Sequence, residues 1–353
     1  MTHMRKDSRK KIILYNFIII TGFFVLLEST VSIMLCFPAL IPGFCLDIFR
    51  EYYTSWDRHI IQYAPSSARY DPGLFYTLRP GHCRFVNREF NTSYTINSQG
   101  LRDDESSLQH PYVAVLGDSY AMGWGVEQDE TYAQVLERRL GKPILNTGVS
   151  SYGTAREMMM LQRQQRDSMH YVVLQYCSND YDENKVFIRD GKLEASQAKR
   201  LDSLFRHHEA DTRYFPFKHI LRLAGLTRKR MIIGHEIQVK DWPQAVRTGI
   251  FSTYAKTFLD VIRRFPLPRN TKMIVFDLDN YQYNNFFISA LKLELALPAN
   301  ASLSKQILPL DLSGILKDDD FYRLDGHLVA KAHQKIADLV FDAMAADSAS
   351  AFQ

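Results

Sequence analysis

The chain has 353 residues, 46% of them hydrophobic and 23% charged, with a mean hydropathy of −0.23. Such values belong to a globular protein of one large domain or two, and they exclude a disordered, collagen-like, disulfide-dense or polytopic membrane chain. The net charge is +4, but Arg5, Lys6, Arg9, Lys10 and Lys11 against Asp7 carry that whole excess, so the rest of the chain is neutral and offers no basic face to nucleic acid.

Residues 1–11 therefore read as a basic tail. Ile12–Cys36 follows as an apolar run long enough to cross a bilayer as one helix. No small-x-small cleavage pattern follows it, so an uncleaved anchor is expected rather than a signal peptide. With the positive flank in front, the N-terminus is expected on the cytoplasmic side and the rest outside. Glu28 interrupts the run and is expected at the far interface, the alternative being that it faces a partner helix.

Residues 37–111 are expected to be a linker and a small β-rich segment that decorates a larger domain. Leu46–Tyr63 suggests a helix leaving the membrane, Pro65–Pro72 a linker, and Tyr76–Ile96 short strands. From Tyr112 to about residue 346 the pattern is that of an α/β domain. Tyr112–Leu116, Ile144–Leu145, Tyr171–Tyr176 and Met273–Leu278 are short apolar runs. Between and after them lie helical patterns, one through Tyr132, Val135, Leu136 and Leu140 and a last one over Leu328–Met344. Continuous apolar strands alternating with amphipathic helices predict a doubly wound parallel sheet covered on both faces. Residues 182–241 carry no strand pattern and read as a helical insertion, a lid or docking surface; residues 347–353 read as a tail.

Chemistry-bearing residues fall where strands end. Ser119, in Gly117-Asp118-Ser119-Tyr120, follows a buried strand and precedes a helix, which suits a nucleophile whose own N–H faces a developing oxyanion. Asp325-Gly326-His327 stands before the last helix, where a histidine can reach the same edge and a carboxylate can orient it. Asn179 follows Tyr171–Tyr176 and can donate an amide. The loop Asn146-Thr147-Gly148-Val149-Ser150-Ser151 can present backbone N–H groups. Taken singly, each also fits a turn or a cap. The cluster His207-His208-Glu209 lacks metal-site spacing and reads as a solvated face, as does Asp318-Asp319-Asp320.

Four such blocks in this order resemble the SGNH/GDSL hydrolase family. The resemblance covers about Tyr112 to Met344, and Asn97-Ser98-Gln99-Gly100-Leu101-Arg102-Asp103 resembles the lead-in of its membrane-anchored bacterial members. It implies an SGNH, flavodoxin-like fold and a Ser119–His327–Asp325 triad. It also implies an oxyanion hole from Ser119, Ser151 and Asn179, with Asp118, Gly148 and Asp180 in support and no cofactor or metal. Three positions depart from the family pattern: Ser151 stands for the oxyanion glycine, Cys177 for the glycine of the asparagine block, and the acid lies two residues before the histidine rather than three. The resemblance further implies an anchored enzyme of the bacterial inner membrane with a periplasmic or extracellular catalytic domain. It would be an esterase or O-acyltransferase on acyl, chiefly acetyl, esters of an envelope or secreted polysaccharide, with an integral membrane acyltransferase as a partner. The competing expectation is an inactive envelope binding or assembly protein that keeps the fold.

Overall fold

A computed structural model describes residues 2–193, 197–233, 243–279 and 285–350. The N-terminal half begins with α1 (Thr2–Cys36) and α2 (Leu46–Trp56). Strands β1 (Ala68–Asp71), β2 (Phe75–Leu78), β3 (Gly81–Val86), β4 (Asn91–Ile96) and β5 (Val113–Leu116) follow. Next come α3 (Ser119–Met122), α4 (Tyr132–Leu140), β6 (Ile144–Asn146), α5 (Thr154–Gln162) and β7 (Tyr171–Tyr176). The remainder holds α6 (Asp180–Asp190), α7 (Ala198–Thr212), α8 (Lys218–Ile233), α9 (Gln244–Arg264), β8 (Lys272–Asp277), α10 (Phe286–Leu295), α11 (Ala301–Ser304), β9 (Ile307–Pro309) and α12 (Ala330–Ser350).

These elements form two compact units. One comprises Met1–Arg58, Glu209–Glu236 and Arg323–Asp325, the other His59–His208, Ile237–Tyr322 and Gly326–Gln353. The stretch 182–241 is thus shared, and its middle belongs with α1 and α2.

In the first unit, Val31 and Leu35 of α1, Phe49, Tyr52 and Tyr53 of α2, and Leu226 of α8 are buried together. Glu28 is buried as well. Its Oε1 accepts the His219 N–H at 3.2 Å and its Oε2 the Ile220 N–H at 3.1 Å. Of the two expectations for Glu28, the partner-helix one describes this contact, and the partner is α8 of the same chain. A carboxylate there satisfies orphan amides at the start of α8 and meets the positive end of its dipole.

The second unit is built on a five-stranded, all-parallel sheet in the order β6-β5-β7-β8-β9. Every residue of β5 and β7 is buried, as strands covered on both faces must be. Their side chains alternate between two cores. Leu116, Val172, Leu174, Met273 and Val275 pack with α5, α9 and α10. Val113, Val115, Val173, Ile274 and Phe276 pack with α4 and α12. This is the doubly wound sheet expected from the sequence. Chain order reverses between β5 and β7, so Ser119 and Asn179 leave the sheet on either side of the switch point, where such sheets bind ligands.

Several local expectations need correction. Residues 65–72 are not simply linker: Ala68–Asp71 pairs with Phe75–Leu78, because Asp71 Oδ1 accepts the N–H groups of Gly73 and Leu74 and closes the turn. The helix expected over 46–63 stops at Trp56. Within Asp318–Asp320 only the first two residues are exposed; Asp320 is buried, and its Oδ2 lies 2.6 Å from Lys335 Nζ. His208 is half-buried and accepts the Ile60 N–H at 3.0 Å, whereas His207 and Glu209 are exposed.

Candidate active site

The site begins where β5 ends. Asp118 caps α3, its Oδ1 accepting the Tyr120 N–H at 3.0 Å, and Ser119 follows as the first helical residue. The helix lasts one turn because Gly123 ends it at φ +85°, its N–H bonding the Ser119 and Tyr120 carbonyls. Only glycine takes that backbone conformation at little cost. Burial raises the Asp118 carboxyl to a pKa of about 7.

His327 meets this turn from the other end of the chain. Its Nε2 lies 2.7 Å from Ser119 Oγ. With the ring neutral and its proton on Nδ1, Nε2 is free to accept a hydrogen bond from the serine hydroxyl. The loop is held by the Tyr322 N–H on the His327 carbonyl, the Gly326 N–H on the Tyr322 carbonyl, and Tyr120 Oη, which donates to the Gly326 carbonyl at 3.1 Å. Two rings face the imidazole. Trp124 stacks on it with centroids 4.7 Å apart and planes 16° apart, and Tyr120 lies at 4.9 Å.

Asp325 belongs to the first unit. There it is buried, its Oδ2 accepts from Tyr53 Oη at 2.8 Å, and its Oδ1 lies 3.8 Å from Arg58 Nη1.

The β6–α5 loop packs against the serine turn. Asn146 Nδ2 donates to the Ala121 carbonyl at 3.0 Å, and the Val149 N–H to the Gly117 carbonyl at 3.1 Å. Gly148 sits so close that a Cβ there would lie 2.5 Å from the Met122 nitrogen. The close approach explains this glycine. Farther along, Ser151 is exposed and holds φ +61°, a left-handed conformation that glycine takes more easily. Its Oγ accepts from Gln62 Nε2 at 2.8 Å.

Asn179 is exposed at the start of α6. The next residue, Asp180, is buried, and its Oδ2 accepts from Thr154 Oγ1 at 2.9 Å. Cys177 is a buried thiol whose Sγ donates to Asp279 Oδ1 at 3.2 Å, with a pKa raised by burial and by the neighbouring carboxylates. Burial and mutual repulsion also raise Asp180 and Glu157 well above the carboxylate range, which favours their neutral forms.

Sequence reasoning missed the residues that brace the serine turn. Trp124 was visible only as an aromatic between two glycines. It packs edge-on against Phe85 of β3, with ring centroids 4.6 Å apart; β3 pairs antiparallel with β4, so this hairpin backs the ring that backs His327. The lead-in before β5 gains a physical role. Arg102 is buried, donating to the carbonyls of Met122, Gly123 and Val126, with its guanidinium 3.5 Å from the centre of the Tyr94 ring. Asp103 Oδ2 accepts the Asn146 N–H at 2.7 Å. One motif thus clamps both the end of α3 and the strand that carries the glycine loop.

No family model and no curated protein matches this sequence. Among solved structures, the chain is similar to a Desulfitobacterium hafniense protein assigned to the G-D-S-L lipolytic family. Identity is 12% and the TM-score 0.33, over 65% of this chain and 98% of that one. It is also similar to a carbohydrate esterase described as having divergent catalytic and non-catalytic binding functions, at 11% identity and TM-score 0.36. A third likeness is to a Corynascus thermopiles family 2 carbohydrate esterase with a carbohydrate-binding domain, at 13% identity and TM-score 0.35. The likeness covers 67% and 66% of this chain but only 64% and 65% of those two esterases.

Proposed function

We propose that the protein is an exported, membrane-anchored serine esterase or O-acyltransferase acting on acyl esters of an envelope or secreted polysaccharide. The observation that carries this reading is the 2.7 Å approach of His327 Nε2 to Ser119 Oγ at the carboxyl edge of the sheet. A nucleophile and a base within hydrogen-bond reach are what acyl transfer requires.

In the proposed reaction, Ser119 Oγ attacks the ester carbonyl carbon while His327 Nε2 takes the hydroxyl proton. The carbonyl oxygen becomes an oxyanion, received by the N–H of Ser119, the N–H of Ser151 and the Asn179 amide. As the intermediate collapses, the bond to the sugar oxygen breaks and His327 returns the proton to it. The acyl-serine is then attacked by water, giving hydrolysis, or by another sugar hydroxyl, giving transfer; His327 again moves the proton. Asp325, two residues before His327, is assigned the orienting acid. Each oxyanion donor is worth roughly 3–4 kcal/mol of barrier in enzymes of this kind.

The polysaccharide, the export and the acyl-supplying membrane partner rest on the motif resemblance and on the apolar Lys10–Cys36 segment of α1 behind its basic flank. The test uses the full chain in detergent or nanodiscs with a short-chain aryl ester. Wild type should turn over and take a fluorophosphonate label on Ser119, and Ser119→Ala should do neither. Equal inertness of both, with Ser119 unlabelled, would leave the non-catalytic binding reading, which the non-glycine Ser151 favours. Supplying an acyl donor with a glycan acceptor separates the two chemistries: acyl release without acyl sugar counts against transfer.

A further inference from the structure

We propose that α8 is an interfacial helix, lying with its outward face in the headgroup and upper acyl region of the phospholipid bilayer that α1 crosses. The proposal rests on the reading of α1 as a membrane span.

The first unit supplies the argument. Along α8, residues His219, Leu223, Leu226 and Arg230 recur at helical spacing and point inward. Leu226 is buried in the core with Val31, Leu35 and Phe49, Leu223 packs against that core, and Arg230 pairs with Glu51 at 2.8 Å. The opposite face carries Leu221, Ala224, Gly225, Arg228, Met231 and Ile232, all exposed. Three of these are large and apolar: Leu221 is 58% exposed, Met231 81% and Ile232 73%. An outward face of this composition is costly in water and suits a bilayer.

The depth fits. Glu28, which caps α8, lies 16 residues after Ile12, about 24 Å along the helix, near the far side of a hydrocarbon core about 30 Å thick. The amino end of α8 is thereby held at the far interface. The turns that follow α1 present Phe37, Leu40 and Phe44, exposed like the lipid-facing side chains of α1 itself, so the apolar surface continues beyond the span.

The charge fits too. Residues 218–233 include five basic residues and no acidic one. Lys218 is used internally, its Nζ donating to the carbonyls of Trp56, Asp211 and Thr212. Arg228 lies on the outward face. Arg222, over the Trp56 ring, and Lys229, 3.4 Å from Glu51, flank it. Long cationic side chains beside an apolar face reach lipid phosphates while their stems lie in the acyl region. With five basic residues among the 16 described ones, α8 suits the interface rather than the hydrocarbon core.

The experiment reconstitutes the full chain in vesicles of phosphatidylglycerol and phosphatidylethanolamine that contain a phospholipid with an acyl-chain diazirine. After irradiation, the labelled peptides are mapped by mass spectrometry. The expected result is lipid adducts on peptides from both 12–36 and 218–232. The triple variant Leu221→Lys, Met231→Lys, Ile232→Lys should lose at least ten-fold of the 218–232 adducts and keep those on 12–36. Adducts on 12–36 alone would overturn the interfacial helix while leaving the anchor intact, as when a protein partner covers the face. Undiminished labelling of 218–232 in the triple variant would also overturn it. Adducts on neither segment would remove the anchor reading and the interfacial helix with it.

Discussion

The Trp124 indole stacks on the His327 imidazole, centroids 4.7 Å apart and planes 16° apart. A π face against this ring favours the imidazolium that would form in the proposed reaction, an interaction worth about 0.5–2 kcal/mol. It also fixes the ring plane so that Nε2 points at Ser119 Oγ. Trp124→Leu is therefore expected to lower kcat about ten-fold with little change in KM, and Trp124→Phe to restore most of the loss. Steady-state kinetics on an aryl ester would check this. Equal effects of Leu and Phe would mean that the indole does no more than fill space beside Phe85.

Arg102 makes a second prediction, about the turn rather than the base. Its guanidinium serves three carbonyls around the end of α3 and accepts no substitute with a single point charge. Arg102→Met leaves those buried carbonyls without their donor and is expected to cost about 3–5 kcal/mol. Arg102→Lys should recover only part. Urea unfolding gives the stability, and aryl-ester turnover well below the transition should fall in both variants because Ser119 sits on the loosened turn. Full activity in folded Arg102→Met would separate the motif from the site.

Much of this arrangement was legible in the chain, and the limits have physical causes. Strands β5, β7 and β8 stood out because their central residues are buried on both faces, which leaves continuous apolar runs with few polar positions to blur them. Ser119 and His327 stood out because each follows a sheet or loop boundary where few other residues could do chemistry. Strand β1 was hidden because it has four residues and ends at Asp71, whose turn-forming side chain reads as linker. The Glu28 contact with His219 was hidden for another reason: it joins residues 191 apart in the sequence. The burial of Asp320 depended on Lys335, in the helix beyond the loop, and the role of Trp124 depended on Phe85, 39 residues earlier in the chain. Contacts of that kind arise from tertiary packing and leave no local periodicity.

Ser151 tests the departure from the family pattern. At φ +61° a non-glycine residue carries about 1–2 kcal/mol of backbone cost. Ser151→Gly removes that cost and loses the bond from Gln62 and some unfolded-state restriction. Stability should therefore stay within about 1 kcal/mol while the backbone N–H, the proposed oxyanion donor, is kept. Ser151→Val adds a β-branched side chain in the same conformation and should destabilise by a further ~1–2 kcal/mol. Thermal unfolding with parallel aryl-ester assays would show this. Loss of turnover in a stable Ser151→Gly protein would mean that the serine hydroxyl, not its N–H, matters.

His333 governs part of the acid limb of stability. It is buried, its Nδ1 accepts the Tyr132 N–H at 3.2 Å, and its Nε2 has no hydrogen-bond partner among the described residues. Burial, with the charges of Arg102 and His327 added, lowers its pKa from 6.5 to about 3. The unfolded chain therefore binds a proton here that the folded chain refuses. Stability from the neutral ring is fully present above about pH 6.5 and drains as the pH falls towards 3, by up to about 5 kcal/mol. Asp103 and Asp118, each raised by burial to about 7, act in the opposite sense, adding stability as the pH falls from 7 towards 4. A comparison of wild type with His333→Phe cancels them. Phe keeps the stacking on Tyr132 but cannot accept its N–H, so the variant should be less stable at pH 8. Between pH 6.5 and 4 its urea midpoint should fall less steeply than that of wild type. Parallel slopes would mean that the ring titrates normally in the folded protein.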